Sequence, residues 1–418
     1  MNTPTGRDQL TDQTTGPGHT AAPTGRLIDQ LADRLAAAGD LTRPEWRQAM
    51  HAAPRHLFTP ARAWCVPDGP GVAHTIDRAA DPRGWWDGAY ADAAIITQIA
   101  DGDADPATGQ GPWTSSLSAP GAVMTFLELL APRPGDRVLE IGTGTGWTAA
   151  LLSARLGDDR VTSVEVDPAV AEQAAANLRA AGFTPTLLTG EGEDGAPDGA
   201  PYDRVHVTCG VTTVPYAWVR QTRPGGVLVF PWMPEFAGGH KARLTVTGDG
   251  RAIGRFHGSA SYMMLRAQRG PELQVPDEPA GVPGVEESVT LLDPRTVVGD
   301  SYGADVAIAG MLPDVMGAER STRPHDDGSD GGEGRWCLIL ADTAGTSWAC
   351  CRHRPGARER LVHQAGPRRL WDEVADAYLR WVSWGSPGRN RFGMTITATG
   401  QQVWRDDPTN TITAACPR

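Results

Sequence analysis

The spacing of apolar residues changes character several times along the chain. Leu27, Ile28, Leu31 and Leu35 recur at helical intervals and predict an amphipathic helix from Arg26 onward. Thr42-Arg-Pro-Glu45 reads as the capped start of a second helix carrying Trp46, Met50 and His51. Residues 66–113 are rich in Gly, Asp and Pro and read as irregular around Trp85-Trp86, Tyr90 and a short apolar run at 93–98. The pattern then becomes regular. A helix is expected over Pro120–Leu130, with Val123, Phe126, Leu127 and Leu130 on one face. Strands are expected at 137–141, 161–166, 185–188, 202–207 and 227–230, alternating with helices at 148–156, 169–181 and 215–221. That alternation predicts a parallel, doubly wound sheet. Beyond Trp232, segments 243–246 and 252–256 flank Gly248-Asp-Gly250, a hairpin signal. Further strands are expected at 288–292, 306–308 and 335–340, a helix at 369–382, and a closing pair at 394–397 and 402–404. Residues 1–24 are polar and read as a disordered tail, and 323–334 as a solvated loop.

Composition narrows the partners. The 418 residues carry 38 Lys plus Arg against 50 Asp plus Glu, a net charge of -12. That argues against a broad basic face for nucleic acid and against a polybasic membrane anchor. Lys241 is the sole lysine, so a Schiff-base lysine is excluded at every other position. No apolar run approaches membrane-spanning length, and the N-terminus lacks the basic start and apolar core of a signal peptide. The 6 cysteines show no framework spacing, so the expectation is a cytoplasmic protein with free thiols. Cys350-Cys351-Arg-His353 lacks metal-ligand spacing, and no metal is expected.

The densest chemical signal is Val138-Leu-Glu-Ile-Gly-Thr-Gly-Thr-Gly-Trp147. A strand enters Gly142, Thr143, Gly144 and Gly146, and a helix starts at once. Glycine lets the backbone turn sharply and approach a ligand closely. Glu165 ends the next strand, followed by Val166, where an acid can accept hydrogen bonds from both ribose hydroxyls. Gly190-Glu191-Gly192 follows the third strand and suits contact with adenine. A dinucleotide remains open, but two features favour S-adenosylmethionine. The spacing is G-x-G-x-G rather than G-x-G-x-x-G. Glu140 stands two residues before the glycines, where a carboxylate suits a cationic ligand and repels a diphosphate.

With these blocks in place, residues 115–232 resemble the protein-L-isoaspartate O-methyltransferases. Ser118-Ala-Pro120, Leu127-Glu-Leu-Leu130, Pro134-Gly-Asp136 running into the glycine loop, Gly190-Glu-Gly192, Tyr202-Asp203, Val207-Thr208 and Arg223-Pro-Gly-Gly226 fall in that family's order, and Pro54-Arg-His-Leu-Phe-Thr-Pro60 is similar to its upstream signature. The resemblance implies an α/β, Rossmann-like S-adenosylmethionine-dependent methyltransferase sheet. An N-terminal helical and substrate-loop region (25–113) precedes it, the cofactor-binding domain covers 114–240, and a C-terminal α+β extension (241–418) would serve substrate recognition. It implies that Gly142, Thr143, Gly144 and Gly146 hold the methionine part of the cofactor, Glu165 the ribose and Glu191 the adenine side. Ser118 would stand beside the substrate carboxylate. The substrate implied is a peptide or protein carrying aspartate or isoaspartate; oligomeric state is left open.

Two departures stand out. The family commonly has a histidine after Ser-Ala-Pro, where this chain has Gly121, and Glu191 replaces an aspartate. The long C-terminal region is similar to actinobacterial relatives that work beside lanthipeptide and graspetide pathways, which implies methylation of an aspartate in a modified ribosomal peptide rather than general repair.

The chemistry needs little. A carboxylate with a pKa near ~4 is already ionised at neutral pH, so no general base is required. Placement of the oxygen and exclusion of water suffice. Ser118 is the candidate catalytic residue, with Thr114, Ser115, Ser116, Thr208 and Cys209 as substrate-side candidates. For Ser118 a helix N-cap ahead of Pro120 is the plain structural alternative, and for Cys209 a small buried filler. Trp85, Trp86, Trp113 and Trp384 either clamp a peptide or pack. A nicotinamide dehydrogenase lacks a hydride-transfer constellation here, and a relict non-catalytic fold sits poorly with intact glycines and both acids.

Overall fold

The structure is a computed structural model that describes residues 21–236, 238–270, 273, 275–299, 301–321, 336–353 and 356–412. Most of the expected N-terminal tail and the loop at 323–334 lie outside these residues.

The N-terminal region opens with two helices, α1 (Ala21–Ala38) and α2 (Pro44–Ala52). Residues 66–113, expected to be irregular, instead build most of a small antiparallel sheet. Its elements are β1 (Arg62–Pro67), β2 (His74–Asp77), α3 (Pro82–Ala89), β3 (Ala93–Ile99) and β4 (Trp113–Leu117), with strand order β2-β1-β3-β4. These strands are four to seven residues long and separated by Gly/Asp/Pro turns, too short to impose a period on the sequence. Pairing supplies what propensity does not: Trp64, Cys65, Val66 and Pro67 register against Ile96, Ile95, Ala94 and Ala93.

The middle of the chain follows its pattern. Pro120 opens α4 (Pro120–Leu130), which ends where Ala131 turns left-handed. Then come β5 (Val138–Ile141), α5 (Trp147–Leu156), β6 (Val161–Glu165), α6 (Pro168–Ala180), β7 (Thr186–Thr189), β8 (Tyr202–Val207), α7 (Tyr216–Arg220) and β9 (Thr222–Trp232). The side chain of Asp167 caps α6 by accepting from the N–H groups of Ala169 and Val170. All four residues of β5 are buried, as a central parallel strand requires.

β10 (Gly239–Val246) and β11 (Ala252–Ala260) form the expected hairpin and continue this sheet antiparallel to β9. The C-terminal region adds β12 (Glu286–Thr290), α8 (Pro294–Gly299), α9 (Tyr302–Met311), β13 (Val315–Ser321), β14 (Trp336–Asp342), β15 (Trp348–His353), β16 (Arg360–Ala365), α10 (Leu370–Ser383), β17 (Phe392–Thr397) and β18 (Gly400–Arg405). The strand expected at 306–308 is the middle of α9. Every residue from Gly303 to Met311 is buried, Asp305 included, so the helix carries no amphipathic period, while Ser301 caps its start. Five strands form a separate antiparallel sheet in the order β12-β16-β15-β14-β13.

The closing hairpin returns to the catalytic sheet, giving nine strands in the order β18-β17-β11-β10-β9-β8-β5-β6-β7. The boundary expected at 240/241 therefore falls inside β10, and the extension completes the sheet rather than standing apart from it. One hydrophobic cluster joins Leu139, Ile141 and Val205 of the parallel strands to Ile308, Leu340 and Trp371 of the C-terminal region. A second packs α1, α2 and the small sheet against the opposite side, through Trp46, Phe58, Phe126 and Leu151.

Candidate active site

The carboxyl ends of β5, β6 and β8 open onto one cleft of about 790 Å³, the expected ligand position in a doubly wound sheet. Among the sequence candidates, Thr114, Ser115, Ser116, Ser118, Gly142, Thr143, Gly144, Glu165, Val166, Gly192, Thr208 and Cys209 line it.

The glycine loop has the geometry its composition implies. Gly142, Gly144 and Gly146 have φ values of 92°, 55° and 89°, in the region side chains avoid. A Cβ on Gly142 would stand 2.5 Å from Thr208 Oγ1, and one on Gly144 would stand 3.3 Å from the carbonyl of Ser116. At Gly144 the glycine loop thus lies close against β4. Gly146 does something else: it starts α5 and leaves room for Leu178 of α6, 3.0 Å from its virtual Cβ, and it does not line the cleft.

Glu165 accepts from the N–H of Gly144 (2.9 Å) and of Asp167 (3.1 Å), so its carboxylate stands at the mouth of the loop. Burial raises its pKa against these bonds. Glu140 is a correction. It is fully buried and lies beneath the loop instead of in the cleft. Ser163 Oγ donates to Glu140 Oε2 (2.6 Å) and lies 2.6 Å from Thr143 Oγ1, so the carboxyl reaches the cleft wall only through two hydroxyls. Burial, aided by the charge of Glu165, pushes its pKa up to about 8 against the Ser163 bond, and its Oε1 has no hydrogen-bond partner among the described residues. The third turn is also corrected in part. Gly192 reaches the wall, while Gly190 does not and Glu191 is exposed away from it.

On the other wall, Ser118 lies between β4 and α4. Its side chain is not the helix cap: the N-cap residue is Ala119, without a side-chain hydrogen bond. Thr114 Oγ1 donates to Gln98 Oε1 (2.9 Å), and Thr97 Oγ1 donates to Ser115 Oγ (3.2 Å), which fixes the β3–β4 ribbon. Thr208 Oγ1 donates to the carbonyl of Ile141 (3.0 Å) and so braces the loop from β8. Burial, with the charge of Glu165, pushes the pKa of the Cys209 thiol well above its ordinary range. Trp85 is buried and donates to the carbonyl of Pro60, and Trp86 stacks on Tyr90, so this pair packs. Trp113 lines the cleft at 40% exposure.

Several wall residues carried no motif. Gln98 Nε2 donates to Asp167 Oδ2 (3.1 Å), as does Arg266 (3.0 Å), and Arg266 and Arg269 both pair with Asp101. These contacts bind the small sheet, the start of α6 and the segment after β11 across the cleft. For Asp167, burial works upward, but the bonds from Arg266, Gln98 and two backbone N–H groups win and hold it at about 2. Lys241 Nζ donates to Thr125 Oγ1 (2.5 Å) in the middle of α4. The signal available for these residues was their charge, and pairing between distant segments leaves no spacing to read. Among the described residues no group of three or more His, Cys, Asp or Glu is arranged to hold a metal, and no helix is long and apolar enough to cross a membrane.

The cleft fits a nucleoside sulfonium. It has backbone that only glycine supplies, an acid at the end of β6, and an unpartnered buried carboxyl oxygen beneath the loop. Residues 81–265 match the family described as protein-L-isoaspartate(D-aspartate) O-methyltransferase. A protein-L-isoaspartate O-methyltransferase of Methanopyrus kandleri is 32% identical over 251 residues, covering 59% of this chain and 93% of the relative. One of Methylorubrum extorquens is 37% identical over 215 residues, 49% of this chain and 93% of the relative. A solved structure titled protein-L-isoaspartate O-methyltransferase shares the fold, with a TM-score of 0.52 at 17% identity over 91% of this chain and 100% of that one. The chain therefore belongs to the protein-L-isoaspartate O-methyltransferase family, and it is an S-adenosylmethionine-dependent methyltransferase.

Proposed function

We propose that the cleft methylates the free carboxylate of an isoaspartyl residue in a peptide or protein. The observation that carries this is the approach of two walls: the glycine loop with Glu165 on one side, and β4 with Ser116 and Ser118 on the other, meeting at Gly144. S-adenosylmethionine, when bound, supplies an electrophilic methyl on a sulfonium. In our reading Gly142, Thr143 and Gly144 receive its methionine part, Glu165 with Val166 the ribose, and Gly192 the adenine end. Glu140 acts on the loop from beneath, through Ser163 and Thr143.

The chain's own part is placement. Ser118 donates its hydroxyl proton as a hydrogen bond to one oxygen of the substrate carboxylate, and the other oxygen is left in line with the methyl. The sulfonium would supply the methyl to that oxygen and would itself be released as a neutral thioether, so atoms and charge balance. No proton moves, because the substrate carboxylate is already ionised at neutral pH and needs no general base. The methyl ester is a better leaving group than the carboxylate, so the next backbone nitrogen closes a succinimide and methanol departs. Water then opens the ring to aspartate or isoaspartate.

A second reading is favoured by the corner around Gly121. Its N–H donates to Asp92 Oδ1 (2.8 Å), and a Cβ there would stand 2.8 Å from Asp92 Oδ2 and 3.1 Å from Asp40 Oδ2. Acids occupy the space beside the position where relatives commonly have histidine. This altered corner supports a specialised substrate, an aspartate side chain in a modified ribosomal peptide, with the C-terminal extension aiding recognition. Competing an isoaspartyl peptide against its aspartyl macrocyclic counterpart, with labelled methyl donor, separates the two. Preference for the isoaspartyl peptide upholds the first reading, and preference for the macrocycle upholds the second.

A further inference from the structure

Arg55 lies in the short turn Arg55–Leu57 after α2, outside the cleft, and is 1% exposed. Its guanidinium makes an unusual set of contacts. Nη1 donates to the carbonyl of Ala89 (2.8 Å), and Nη2 donates to the carbonyls of Ala93 (2.7 Å), Ser118 (3.0 Å) and Leu117 (3.4 Å). Among the described residues no carboxylate touches it. Burial brings its pKa down to about 10, so it remains a cation at neutral pH. Its hydrogen bonds all go to neutral carbonyls, with the charge of Asp92 acting from farther off, and burying a cation in that way costs desolvation.

The other face of the guanidinium shows what that geometry joins. Cζ lies 5.4 Å from the ring centroid of Trp147, the residue that follows Gly146 and opens α5. Trp147 Nε1 in turn donates to the carbonyl of Ala53 (3.0 Å), two residues before Arg55. The turn at 53–55 therefore grips both sides of the reaction: the backbone of Leu117 and Ser118, and the helix that leaves the glycine loop. A planar fork can divide its donors among several carbonyls at fixed angles, which a lysine ammonium cannot.

We propose that Arg55 is a positioning residue for methyl transfer, setting the Ser118 hydroxyl against the cofactor loop through this strut. The proposal rests on the reading of Ser118 given above, and a double-mutant cycle tells the two apart. In full-length protein, Arg55→Lys is expected to lower kcat about tenfold or more, with affinity for S-adenosylhomocysteine by titration changed less than about threefold. Ser118→Ala lowers kcat on its own, and Arg55→Lys/Ser118→Ala is then no slower than Ser118→Ala, because Arg55 acts through that hydroxyl. Trp147→Phe, which keeps the ring but removes the bond to Ala53, loosens the strut from its other end. It is expected to lower kcat in the same non-additive way, and it carries the test if Arg55→Lys fails to fold.

Wild-type kcat in folded Arg55→Lys overturns the proposal. So does a multiplicative double variant while Ser118→Ala is itself impaired, and there the reading of Ser118 survives. If Ser118→Ala is fully active, that reading falls and the proposal with it.

Discussion

At the residue scale, the chemistry depends on how few groups are free to react. Glu165 is poised by two backbone N–H donors and faces the cleft. Removing a carboxylate that accepts hydrogen bonds from a ligand costs about 1.5–3 kcal/mol, so Glu165→Ala is expected to weaken S-adenosylmethionine binding about 10- to 100-fold by titration calorimetry. Ser118→Ala leaves that affinity unchanged and lowers kcat by a comparable factor. Glu140 behaves differently, because it is buried beneath the loop. Its pKa is raised from 4.5 to about 8, so the folded chain holds this proton more tightly than the unfolded one. Its contribution to stability is complete below the unfolded value and is lost as pH rises toward 8. Glu140→Gln abolishes that loss. The melting-temperature gain of the variant over the wild type is expected to grow between about pH 5 and pH 8 and then level off. A gain independent of pH would show that Glu140 ionises normally.

At the element scale, the legible parts were those whose sequence period matches their surroundings. β5 to β8 and α4 to α6 stand within a residue or two of their predicted bounds because burial, Pro at N1 and side-chain caps act locally, whereas β9 starts five residues before the expected 227. The glycine loop was legible for the same reason: a positive φ leaves a residue signature. A Gly142→Ala variant combines a φ of 92° with a Cβ 2.5 Å from Thr208 Oγ1, and it is expected to lose about 1–3 kcal/mol of stability along with cofactor affinity, read by denaturant titration. The small sheet around β1 and β3 was missed because pairing, not period, creates it. α9 was misread because a helix buried on every side looks like a buried strand. Arg55 shows a third limit. Pro54-Arg-His-Leu-Phe-Thr-Pro60 was recognisable as a block, but its arginine's partners lie 34 to 63 residues away.

At the scale of the molecule, the C-terminal region is joined to the catalytic sheet. β10, β11, β17 and β18 extend it, and one apolar cluster runs from Leu139 to Trp371. A chain ending at 240 would leave Phe230 and Trp232 without β10 and Phe256, and it is expected to lack a cooperative melt; a soluble truncation that binds cofactor would contradict a shared core. The corner at Gly121 is acidic, and the net charge of the chain is -12. The central claim, carboxyl methyl transfer in the cleft between Glu165 and Ser118, is tested most directly by incubating the full chain with methyl-labelled S-adenosylmethionine and an isoaspartyl peptide. The account predicts label on the peptide as a base-labile methyl ester, at a rate that saturates with cofactor. Cofactor binding with no base-labile label on the peptide would contradict it.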